Sequence, residues 1–170
     1  MVRTEPREVD IKRWRTEILA LLEDFPRQLE ALETAMGEFG EDFDLQSFKS
    51  AYETHRDMRA YNKVQAVERG LGRVQNYVAD LAITASKLAE LDVEVKDAGK
   101  AEQAFDSLRE ADVISGQLHR SLRRAQKART LIEHSYVKVS AGKVHEAAAL
   151  IRDTAAQFIA AYRTWIPDYL

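Results

Sequence analysis

Residues 64–88 read VQAVERGLGRVQNYVADLAITASKL, and within them Val64, Val67, Leu71, Val74, Val78, Leu81, Ala85 and Leu88 recur at alternating steps of three and four. That alternation follows the helical period of about 3.6 residues, so these side chains fall on one stripe of one long helix. A stripe of this length needs partners along its whole course, which makes it the expected central helix of the fold. Gly70 and Gly72 lie inside it. Each costs about 1 kcal/mol against Ala in a helix interior, so their presence predicts a close helix crossing or a local bend.

The same spacing recurs on both sides. Upstream, Ile11, Trp14, Ile18, Leu22, Phe25, Leu29, Leu32, Met36 and Phe39 form a first stripe that ends at Gly37 and Gly40. Pro26 lacks a backbone donor, which predicts a kink or break near Phe25. Asp44 reads as the N-cap of a shorter helix. Downstream, a polar link at residues 92–100 leads to a short helix over residues 101–110, and Ser115 can cap a fifth helix with the stripe Leu118, Leu122, Ala125 and then Arg129. A last helix carries Val144, Ala148, Ile151, Ala155, Phe158, Tyr162 and Trp165 before Pro167 ends it. The fold class is therefore all-α, an up-and-down bundle of five or six helices without internal repeats. We expect one domain over residues 1–170, with residues 1–60 as an N-terminal helical extension that could form a separable arm.

Composition narrows the chemistry. The chain has 170 residues and no cysteine, which excludes disulfides, thiolate metal sites and cysteine nucleophiles. Residues 1–10 are charged, and no apolar run approaches the roughly 18 residues of a membrane helix, so a cytoplasmic protein without membrane partners is expected. The net charge of −3 is unevenly spread: residues 113–145 hold seven cations against Glu133 alone and so carry +6, leaving −9 on the rest. A basic segment is most simply a solvated helix face, and becomes an RNA surface only if chemistry lies within it.

Arg129 continues an apolar stripe, whereas Arg120 and Arg124 lie off it; a guanidinium there is costly unless it is paired or opens on a cleft. Five residues later comes His134, then Tyr136. An Arg and a His within reach of one phosphate suit metal-free RNA cleavage. Imidazole titrates near neutrality and can take the 2′-OH proton or protonate the leaving 5′-oxygen, while guanidinium offers a fork to the phosphorane oxygens. One His cannot comfortably do both jobs, so this reading also expects a homodimer with the site at its seam. On spacing alone, the competing reading is an interhelical salt bridge and a capping His. His55, His119 and His145 read as exposed or capping residues, no metal or cofactor motif appears, and the aromatic residues read as core.

The stretch AFDSLREADVIS at residues 104–115, then Leu118, Leu122, Arg123, Ala125 and RTLIEHSY at residues 129–136, resembles the HEPN superfamily and within it the HepT-like ribonuclease toxins. There a short helix leads into a longer one ending in Arg, a few variable residues, His, and a Tyr two residues on. VQAVERGL at residues 64–71 is similar to the family's opening core helix, and the resemblance implies a HEPN core over residues 61–166. It implies a dimeric, metal-independent endoribonuclease toxin neutralised by a partner nucleotidyltransferase antitoxin. Arg129 would clamp the transition state, His134 would be the acid/base, and Tyr136 would accept AMP. Thr130 and Asp80 would support the site, and Arg120, Arg123, Arg124 and Lys127 would bind RNA. Thr130 stands where the family usually has a polar amide or acid, and Asn76 where many relatives have Glu. The alternatives are an inactive HEPN domain that binds nucleotide or RNA, and a helical interaction protein.

Overall fold

The computed structural model describes residues 8–54, 57–89, 100–134 and 139–170. They form α1 (Glu8–Gly37), α2 (Leu45–Glu53), α3 (Met58–Leu88), α4 (Lys100–Glu110), α5 (Gly116–His134) and α6 (Ala141–Trp165), closed by a 3-10 turn at Ile166–Tyr169. The expected all-α bundle is thus observed, with no strand among the described residues. The polar link at residues 92–100 lies outside them except for Lys100.

α3 is the central helix. Asp57 starts it, its carboxylate accepting from the Arg59 and Ala60 amides. Val64, Val67, Leu71, Val74, Val78, Leu81 and Ala85 are buried, Leu88 partly so, and α3 touches every other α-helix. The two glycines mark close approaches, as their cost predicts. A Cβ on Gly70 would lie 3.1 Å from Leu32 Cδ1 and 3.3 Å from Leu32 Cα on α1. α1 buries Ile18, Phe25, Leu32 and Met36 in the core cluster that α3 and α6 share.

α1 does not break at Pro26. Proline leaves the carbonyl four residues back without its helical donor, here that of Leu22, and Arg163 Nη2 from α6 donates to it at 3.3 Å. Arg15 Nε at the other end of the same contact donates to the Tyr169 carbonyl at 3.0 Å.

Two left-handed residues shape the turns. After α1, Gly40 (φ 100°) and Phe43 (φ 52°) reverse the chain before Asp44 caps α2, its carboxylate accepting from the Ser47 amide at 2.7 Å. A non-glycine residue at positive φ is strained. Phe43 is held there by its buried ring, stacked on His145 at 4.2 Å, while its carbonyl lies 2.6 Å from His145 Nε2. After α4, Asp112 (φ 55°) forms the left-handed C-terminal cap, with the Val113 amide donating to Leu108 and the Asp112 amide to Arg109. Ser115 then caps α5, accepting from the Leu118 amide at 3.1 Å.

Candidate functional site

The α5 stripe buries Leu118, Leu122 and Ala125, and the next member, Arg129, follows them inward: its side chain is 21% exposed. Its Nε is fully buried with no hydrogen-bond partner among the described residues. The guanidinium instead engages through Nη2, which lies 2.7 Å from Glu133 Oε2. Glu133 is one turn on, so the two side chains share a face of α5.

Opposite Arg129 stands Asp80 of α3. Its carboxyl is pushed above the ordinary carboxylate range, first by burial of the group and then by the nearby Glu17, while Arg129 pulls the other way. The expected supporting carboxylate is therefore within electrostatic reach of Arg129. Thr130 turns its hydroxyl back to the Gln126 carbonyl at 2.9 Å. Gln126 in turn accepts from the buried Gln75 of α3 at 3.0 Å, which fixes the register between the two helices just below Arg129.

His134 does not join this group within one chain. α5 remains helical through it, and five residues at about 100° each turn it roughly 140° away from Arg129 around the helix axis. It is exposed at the helix end. Tyr136, the expected AMP acceptor, lies outside the described residues.

The basic residues of α5 divide into two sets. Arg120, Arg124 and Lys127 are exposed, and the Arg124 contact to Glu146 is a solvent-facing pair at 3.6 Å, of the kind that contributes little and exchanges readily. Arg123 is bound to α4: Nη2 lies 2.9 Å from Glu102 Oε2 and Nη1 3.1 Å from Asp106 Oδ1. Asp106 also lies 2.6 Å from His119 Nε2. His119 is thus neither exposed nor capping but part of a charged clasp between α4 and α5. His145, expected at the start of the last helix, instead anchors the Phe43 turn described above.

Two features escaped the sequence reading. One is Glu133, whose spacing from Arg129 was visible but whose grip on it was not foreseen. The other is an open depression of about 360 Å³ between α3 and the end of α5, lined by Glu68, Arg69, Gly72, Arg73, Asn76, Ile132 and Glu133. Arg69 and Arg73 lie outside the basic segment, so only the fold brings them beside it. Asn76, the departure from the family pattern, faces the same depression. No cluster among the described residues could hold a metal ion, and no helix among them is long and apolar enough to cross a membrane. Compared with protein-family models, with curated proteins and with solved structures, the chain matches none.

Proposed function

We propose that the protein is a metal-independent endoribonuclease, a HepT-like toxin acting in the cytoplasm, whose site is completed at the seam of a homodimer. The observation that carries this reading is Arg129: a guanidinium four-fifths buried on an apolar stripe, its Nε unpaired, at the start of the RTLIEHSY segment and beside exposed cations. Burial of an unsatisfied donor is costly, and a phosphate offering two oxygens would satisfy it.

In the proposed reaction the RNA 2′-oxygen attacks its adjacent phosphorus as His134 of one copy removes the proton. Arg129 holds the charge that builds on the phosphorane oxygens. The P–O5′ bond then breaks, the 5′-oxygen takes a proton from His134 of the other copy, and the products are a 2′,3′-cyclic phosphate and a 5′-hydroxyl. Exposure of His134 and its turn away from its own Arg129 suit a residue that serves a neighbour. A nucleotidyltransferase antitoxin transferring AMP to Tyr136 would add bulk and negative charge where RNA must lie.

The test is cleavage of RNA by wild type, Arg129→Ala and His134→Ala in the presence of a metal chelator, with dimer mass measured alongside. Cleavage only by wild type, with all three dimeric, is expected. Equal cleavage by wild type and variants, or none by wild type, refutes the reading. The Arg129–Glu133 pair favours a second reading, a structural ion pair in a helical interaction protein, for which both substitutions would alter only stability or partner binding.

A further inference from the structure

The Glu133 carboxylate faces two ways. Oε2 is held by Arg129, while Oε1 lies 3.4 Å from the position a Cβ would take on Gly72, the floor of the depression. Across that floor Arg69 and Arg73 stand one turn apart on the same face of α3. Both are exposed and neither takes part in an ion pair among the described residues. One acid thus lies between a buried guanidinium and two unpaired ones.

A carboxylate and a phosphodiester present a guanidinium with the same two-oxygen edge. As a helix-stabilising pair, moreover, Arg129–Glu133 runs in the weaker direction, with the cation N-terminal to the acid. We propose that the depression over Gly72 binds the RNA phosphodiester next to the one clamped by Arg129. Arg69 and Arg73 form its cationic wall, and Glu133 is the anion that RNA displaces on entry. The strand then crosses from the outer face of α5, where Arg124 and Lys127 are exposed, over the end of that helix and onto α3. Glu68 on the far rim bounds the groove with like charge and keeps the backbone on the Arg69 and Arg73 side. The role of Arg129 as clamp rests on the ribonuclease reading; the phosphate subsite itself requires only binding.

The experiment measures binding of a single-stranded 2′-O-methyl oligoribonucleotide, which lacks the attacking hydroxyl, by fluorescence anisotropy across a salt series. Wild type is compared with Arg69→Gln/Arg73→Gln, Glu133→Gln, Glu133→Ala and Glu133→Gln/Arg129→Gln, each checked for helical content. Loss of both α3 cations should weaken binding and flatten the salt slope by about 1.4, at ~0.7 per phosphate contact on a single strand. Either Glu133 variant should bind roughly two- to fivefold more tightly, the equivalent of removing one partly exposed competing ion pair. That gain should vanish when Arg129 is also replaced. An unchanged salt slope without Arg69 and Arg73, no tightening in the Glu133 variants, or no binding by wild type overturns the proposal. Parallel cleavage of the all-ribose strand separates the two ideas. Binding as expected with no cleavage refutes the ribonuclease and leaves the subsite standing; Arg129-dependent cleavage with an unchanged slope refutes the subsite alone.

Discussion

Gly70 and Gly72 are two residues apart in one helix, yet replacement by Ala should move stability in opposite directions. Each substitution gains about 1 kcal/mol of helix propensity. At Gly70 the new Cβ meets Leu32 Cδ1 at 3.1 Å and Leu32 Cα at 3.3 Å. Leu32 is fully buried and its Cα belongs to the α1 backbone, so relief requires α1 to shift away from α3 along with Phe25 and Ile18, themselves buried. Overpacking of this kind costs roughly 1–3 kcal/mol, leaving Gly70→Ala destabilised by about 1 kcal/mol. At Gly72 the only neighbour is Glu133 Oε1 at 3.4 Å, the free end of a flexible side chain. Its displacement forfeits no more than a partly exposed ion pair, so Gly72→Ala should be stabilised by about 0.5 kcal/mol. Urea unfolding followed by circular dichroism reads both as shifts in midpoint at constant m-value. If Gly70→Ala raises the midpoint as much as Gly72→Ala does, the α1–α3 crossing is not limited by Leu32 and the packing argument fails.

Two further outcomes test other parts of the molecule. Tyr162, fully buried, donates its hydroxyl to the Leu81 carbonyl at 3.2 Å; Tyr162→Phe should lose about 1 kcal/mol in the same unfolding assay, and no loss would mean the bond contributes nothing. Asp80 has a carboxyl raised in the folded state from its model-peptide value of 3.8, so folding is penalised once pH exceeds that window and not below it. Asp80→Asn should therefore melt higher than wild type at neutral pH, with the advantage fading on acidification towards pH 3.8. An advantage that grows on acidification would reverse the sign.

Much of the architecture is legible from periodicity because burial along a helix repeats with the helix. The α3 stripe, the α5 stripe with Arg129 as its inward member, and the caps at Asp44 and Ser115 all depend on residues within a turn of one another. What could not be read depends on distant partners. Pro26 predicts a break from local chemistry alone; the donor that keeps Leu22 satisfied is Arg163, far along the chain. Phe43 adopts a left-handed backbone that glycine would take more easily, because His145 stacks on its ring. At the candidate site, the basic run of α5 looks uniform in sequence, but Glu102 and Asp106 on α4 engage Arg123 and leave Arg120, Arg124 and Lys127 outward. Glu133 was visible one turn from Arg129; that its second oxygen would face Gly72 depends on how α5 crosses α3.

The paired contacts between α1 and the chain's C-terminal end have a mechanical meaning. Arg163 supplies a donor to α1 where Pro26 withholds one, and Arg15 of α1 supplies a donor to Tyr169 in the closing turn. Each segment thus completes the other's backbone bonding, like two stitches sewn in opposite directions through one seam. Lifting α1 away would strand the Leu22 carbonyl and cut the Tyr169 contact in the same movement. The two ends of the chain are then expected to open together as one cooperative unit, with amide exchange in α1 near Pro26 and in the closing turn rising in step when either arginine is removed.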